Sequence, residues 1–222
     1  MQEYVKKGGN LLVIGSEATV LFDDILGVQG VGERGASCLG FDNRFVDIQG
    51  KFREVRCEQG TEELAQLYQT NDFRFPSGSA ATIHKYGKGK VAGVYMNIGE
   101  SYLSTTSPVF RDFLSELIGN LFPEPLVSVK GSHRVHVIPS EKDGRMLIQL
   151  VNTSGDHANR SVKGIDEIPE LRDLNVVVRS EERPKKVLLQ PDGRPLRFDY
   201  VDGKVTFVVP DLKIHDIVEI IK

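Results

Sequence analysis

At 222 residues, with 40% hydrophobic and 27% charged residues, the chain has material for two cores of about 100–120 residues each. Residues 1–124 carry 12 basic and 16 acidic side chains and residues 125–222 carry 16 and 15, so neither half has the concentrated basic face that nucleic acid or a membrane surface requires. Two cysteines are too few for a disulfide framework, and no basic-plus-apolar leader or run of about 18 apolar residues is present; the expectation is a soluble, cytoplasmic chain with reduced thiols.

Glu3-Tyr4-Val5-Lys6-Lys7-Gly8-Gly9 reads as the end of an amphipathic helix stopped by two glycines, and Leu11-Leu12-Val13-Ile14 follows as a short, fully apolar strand. A helix entering such a strand predicts the second half of a βαβ unit, with Leu11–Ile14 near the interior of a parallel sheet and a partner strand earlier in the polypeptide. Apolar spacing from Ala18 to Leu26 predicts one helix capped by Gly27. Ala81–Tyr86 and Lys90–Met96 are strand-like runs around the turn Gly87-Lys88-Gly89. Ser107-Pro108 opens a helix with Phe110, Phe113, Leu114, Leu117 and Ile118 as its apolar stripe, and Phe122-Pro123-Glu124-Pro125 ends it in a stiff linker.

Beyond the linker the period changes to two. Strands are expected at Leu126–Lys130, Arg134–Ile138, Arg145–Val151, Asn175–Arg179, Lys186–Leu189, Leu196–Val201, Val205–Val209 and Ile217–Ile221. Asp143-Gly144, Asp192-Gly193 and Asp202-Gly203 supply turns that tolerate positive φ. The fold class is therefore α/β plus all-β: an α/β domain over 1–124 and an antiparallel β-sandwich over 125–222, with Ser154–Gly164 as an exposed loop.

Catalytic motifs fail on context. Gly30-Val31-Gly32-Glu33-Arg34-Gly35 matches the dinucleotide fingerprint, but no strand leads into it and no helix opens from it, so it reads as a flexible glycine loop. Gly87-Lys88-Gly89-Lys90 lacks the hydroxyl residue that a phosphate loop places after its lysine. Ala36-Ser37-Cys38-Leu39-Gly40 is a near miss to a nucleophile elbow, and neither His84 nor His133 shows the carboxylate partner a thiol's base needs. His133 and His136, three apart on an expected strand, point to opposite faces and cannot share a metal ion; His84 and His215 sit singly in strand patterns. His157 is the one histidine expected in an exposed loop, and Glu100, at an expected strand end, reads as a polar turn residue. No catalytic, metal-binding or cofactor-binding residue is assigned. The lack of tryptophan weakens sugar stacking, leaving only Tyr and Phe to provide rings.

The helix-Gly-Gly-strand piece at Glu3–Gly15, with Ala81–Tyr86, Gly87-Lys88-Gly89-Lys90-Val91 and the helix from Pro108, resembles the later part of the flavodoxin-like, glutamine-amidotransferase-like domain called the trimerisation domain in many β-galactosidases and related glycoside hydrolases. Gly131-Ser132-His133-Arg134-Val135, Leu150-Val151-Asn152-Thr153-Ser154-Gly155 and Pro184-Lys185-Lys186-Val187 resemble the small β-sandwich that follows it. The resemblance implies a non-catalytic C-terminal assembly and support region, a homo-oligomer associating through the first domain, and hydrolysis housed in a barrel for which this chain has no room. The alternative is a free-standing carbohydrate-binding module using the sandwich or the Ser154–Gly164 loop.

Overall fold

The computed structural model describes residues 1–35, 38–155 and 167–222, and the chain divides into two units, Met1–Glu124 and Pro125–Lys222.

The first unit runs α1 (Gln2–Lys6), β1 (Leu11–Ile14), α2 (Ser16–Val20), α3 (Asp23–Leu26), β2 (Val28–Gly35), β3 (Cys38–Phe41), β4 (Arg44–Asp47), β5 (Lys51–Cys57), β6 (Thr61–Tyr68), β7 (Pro76–Tyr86), β8 (Gly89–Val94), α4 (Ile98–Thr105) and α5 (Pro108–Leu121). Six strands form one sheet in the order β1-β8-β7-β6-β3-β4, and β2 and β5 form a separate two-stranded ribbon. Of the six-stranded sheet's ladders only β1 with β8 is parallel. The parallel sheet expected for this unit is thus a mixed sheet dominated by antiparallel pairs. The connections explain it: Gly87-Lys88 and Asp42-Asn43 are tight turns, and a tight turn can join only antiparallel neighbours. Asp42 and Asn43 both take positive φ, the geometry of the two-residue hairpin turn.

Three further expectations change. Ala18–Leu26 is two short helices, α2 and α3, with Leu21 and Phe22 between them; Gly27 does cap the second, at φ 62°. Gly30–Gly35 is not a loop but most of β2, paired with β5 and kinked by a bulge between Gly30 and Gly32. Leu11–Ile14 lies at the sheet's edge instead of its interior. Both faces of β1 are nevertheless covered. Leu11 and Val13 pack with Val5 of α1 and with Ile25 and Leu26 of α3. Leu12 packs on the other face with the cluster that holds Phe110, Phe113 and Leu117 of α5.

Helix α5 forms where the sequence places it. Ser107 accepts from the Val109 N–H, Pro108 fills the first position, and Val109, Phe110, Phe113, Leu117 and Leu121 are buried. Ile118, expected in the stripe, is 48% exposed.

The second unit contains β9 (Val127–Lys130), β10 (Val135–Lys142), β11 (Arg145–Asn152), β12 (Leu171–Arg179), β13 (Lys186–Gln190), β14 (Arg194–Pro195), β15 (Phe198–Val201), β16 (Lys204–Leu212) and β17 (His215–Ile221). They form a five-stranded sheet, β10-β11-β17-β13-β14, and a four-stranded sheet, β15-β16-β12-β9, with every ladder antiparallel. Alternate residues of both sheets, among them Ile148, Leu150, Val218 and Ile220 against Leu174, Val176, Val178, Val205, Phe207 and Val209, make one core. Asp143-Gly144 and Asp202-Gly203 turn with positive φ at both residues. Pro139 falls inside β10, which tolerates it because β10 is an edge strand. Most of the Ser154–Gly164 loop, with His157, lies outside the described residues.

Candidate functional site

The thiol named in the sequence is buried in a strand. Cys38 begins β3, has no exposed surface, and directs its Sγ at the carbonyls of Tyr68 and Thr70, 3.7 and 3.6 Å away. Burial, then the nearby Asp47 carboxylate, pushes this thiol up, away from the thiolate a nucleophile needs. An antiparallel strand also replaces the strand-to-helix turn of an elbow. Burial likewise raises the Cys57 thiol, and the Glu63 carboxylate 3.9 Å away adds to it.

His84 is a hydrogen-bonded histidine of β7. Thr61 Oγ1 donates to the Gly27 carbonyl at 2.7 Å and lies 2.9 Å from His84 Nδ1. With its proton committed to Gly27, the hydroxyl can only accept, so Nδ1 carries the proton and ties β7 to the end of α3. His133 precedes β10 and is not on a strand, so the opposite-faces argument does not apply to it. His136 and His215 are brought onto one face, each opposite Val151 of the strand between them. Among the described residues no group of three or more His, Cys, Asp or Glu is placed to hold a metal ion. Glu100 is not at a strand end but in the first turn of α4, where it accepts from Asn97 Nδ2 at 2.9 Å.

Sequence reasoning missed two arrangements. The first is a cleft of about 620 Å³ lined by Phe41, Asp42, Arg44, Leu64, Asp112 and Glu116. Arg44 donates to Asp112 and to Asp42, each at 3.1 Å, and Arg111 donates to the other oxygen of Asp112. Arg111, and then Arg44, holds the Asp112 carboxyl below the usual carboxylate range, so it can accept hydrogen bonds but cannot serve as a proton donor near neutrality. The residues come from β3, the turn after it, β4, β6 and α5, a convergence invisible in linear spacing. The second is the turn before β7, where Phe73 and Phe75 are 43% and 66% exposed. Phe73 stacks on Phe45 at 4.0 Å between centroids, and Arg74 lies over Phe75 while binding Asp72 through both carboxylate oxygens. Phe73-Arg74-Phe75 was the available signal: two large rings beside a guanidinium, outside any apolar period.

No helix among the described residues is long and apolar enough to cross a membrane. No protein-family model and no curated protein matches the chain. Solved structures do. α-L-Fucosidase isoenzyme 2 from Paenibacillus thiaminolyticus is 16% identical, with a TM-score of 0.80 over 99% of this chain and 38% of that one. This chain shares the fold of part of that larger protein. A catalytic mutant of Gan42B, a GH42 β-galactosidase from G. stearothermophilus, superposes with a TM-score of 0.60 at 16% identity, over 100% of this chain and 29% of that one. The β-galactosidase of Bacillus circulans sp. alkalophilus gives 0.54 at 15% identity, over 99% and 30%. The shared fold thus spans essentially this whole chain but only about a third of each larger protein.

Proposed function

We propose that this chain is a non-catalytic, C-terminal assembly and support region of a glycoside-hydrolase-like protein, with its first unit a partial amidotransferase-like, trimerisation-type domain. The observation that carries the reading is the match to the fucosidase over 99% of this chain and 38% of that one. Fold likeness alone assigns no chemistry. Two properties of the site point the same way: Cys38 is buried with its thiol raised, and Asp112 is held ionised between two guanidiniums. The flavodoxin-like assignment rests on the parallel pair β1–β8 flanked by α1 and α5, the one part of the sheet with that topology.

The test is hydrolysis of nitrophenyl α-L-fucoside and β-galactoside by the purified chain. No turnover above the no-enzyme rate is expected. Turnover lost in Asp112→Asn, Glu116→Gln or Cys38→Ala would overturn the non-catalytic reading. Carbohydrate binding is the second reading, favoured by the exposed rings of Phe73 and Phe75. Retardation in galactan-containing gels, abolished by Phe75→Ala, would move the assignment there.

A further inference from the structure

The cleft beside the β3–β4 turn lies toward the opposite edge of the six-stranded sheet from β1, and all its walls come from the first unit. Its volume of about 620 Å³ is in the range that holds a small-molecule ligand. Phe41 and Leu64 form an apolar side, with the Phe41 ring fixed edge-to-face against Phe113 at 5.6 Å between centroids. Asp42, Arg44, Asp112 and Glu116 form the polar side. Asp112 and Glu116, four residues apart on α5, share one helix face.

Hydrogen-bond accounting shows what the polar side still offers. Asp112 is spent as a strut: its Oδ1 accepts from Arg111 Nε and Nη2 at 3.1 and 2.9 Å, and its Oδ2 accepts from Arg44 Nη1 at 3.1 Å. Arg44 gives a second bond, from Nη2, to Asp42 Oδ2, so its guanidinium is braced on both sides before any ligand arrives. Each of these Nη atoms carries two hydrogens and has spent one, and the Arg44 side chain is 39% exposed. Asp42 Oδ1 and the Glu116 carboxylate accept from no group among the described residues. Spare donors and spare acceptors therefore line one wall, opposite an apolar one.

We propose that this cleft binds a neutral polyol through two adjacent hydroxyls, with the C–H face of the ligand against Phe41 and Leu64. Three carboxylates against one guanidinium on the wall exclude an anion. An ammonium or guanidinium ligand would satisfy Glu116 but leave the spare Arg44 N–H groups facing a cation that cannot accept them. A hydroxyl does both: it accepts from an Arg44 Nη and donates to a carboxylate, and a vicinal pair does so twice. Bracing of Arg44 lowers the ordering cost of binding, because its long side chain is already held. Such a site needs no second copy and no catalytic group, so it goes beyond the assembly reading and stands or falls apart from it.

Titration of the intact chain with D-galactose and L-fucose, two ring polyols with a cis vicinal diol, tests it through amide chemical shifts. Saturable shifts at Phe41, Leu64 and Glu116 are expected, with a millimolar dissociation constant. Glu116→Ala, at an exposed position, should keep the wild-type circular dichroism spectrum and weaken binding about tenfold. Arg44→Lys, which keeps the charge but loses the planar fork, should weaken it as well. Phe75→Ala, on the aromatic turn, should bind as wild type does, and n-propylammonium and inorganic phosphate should leave the cleft amides unmoved. Shifts that rise linearly without saturating, a dissociation constant unchanged in Glu116→Ala and Arg44→Lys, or cleft shifts produced by propylammonium in place of the sugars overturn the proposal. Shifts confined to Phe73 and Phe75 and lost in Phe75→Ala overturn it too, and favour the aromatic turn.

Discussion

Arg53 on β5 donates from Nη2 to Asp23 Oδ2 on α3 at 2.5 Å, and the arginine side chain is only 7% exposed. The pair fastens the β2–β5 ribbon to the helix that caps the sheet. Gly30 makes room for it, because a Cβ there would stand 2.6 Å from Arg53 Nη2. Removing one partner of a buried pair strands the other, so Asp23→Ala is expected to destabilise by about 2–4 kcal/mol. Arg53→Met should cost less, since Asp23 is 31% exposed and can take up water. Urea unfolding of the two variants checks the order; a larger loss in Arg53→Met contradicts it.

Gly89→Ala should be more damaging. Its Cβ would collide with the Gly9 carbonyl oxygen and stand 2.6 Å from that of Val5. Both obstacles are backbone, so no side chain can swing aside. The expected cost is about 3 kcal/mol or more, read as a lowered urea midpoint with loss of soluble yield. Gly99→Ala, where nothing lies within 4 Å, is the control and should be near neutral.

How far these features were legible depends on where the information resides. The sandwich was readable because Ile148 and Leu150, or Val205, Phe207 and Val209, alternate in the sequence as they do in the core, and Asp-Gly pairs mark the turns. Strand β2 was not: seven of its eight residues are exposed, so Val28–Gly35 has no apolar alternation and its glycines look like a loop. The edge position of β1 was unreadable for another reason. Burial of both faces gives an apolar run, and that run says nothing of whether a strand stands on each side. The Arg44 cleft and the Arg53–Asp23 pair join residues far apart in the chain, beyond any local pattern.

Tyr95 gives an alkaline signature. Its hydroxyl lies 2.6 Å from Thr82 Oγ1 in the core, and burial pushes its pKa up to about 12. An unfolded tyrosine ionises near 10, so this contribution is complete below about pH 10 and is lost as pH rises toward 12, on the order of 2–3 kcal/mol in all. Tyr95→Phe should abolish that decline. At neutral pH it should cost about 1–2 kcal/mol, because Thr82 loses its partner. Thermal melts across the alkaline range read both effects.

Glu219 gives the acid counterpart. It accepts from Arg145 Nη1 and Gln190 Nε2, both at 2.7 Å, and Arg145 first, then Gln190, holds its carboxyl below the usual range. A depressed carboxylate stabilises the fold above its unfolded pKa of about 4.3, and that contribution is lost as pH falls through the lower folded value. Glu219→Gln should therefore lower Tm at neutral pH, and the difference from wild type should begin to shrink as pH falls below about 4.3. A difference that persists unchanged into acid contradicts this.

Assembly is the central claim, and sedimentation equilibrium of the intact chain over the micromolar range tests it most directly. The account predicts a mass that is a multiple of 24.7 kDa and falls on dilution. A mass of 24.7 kDa at every concentration would contradict it.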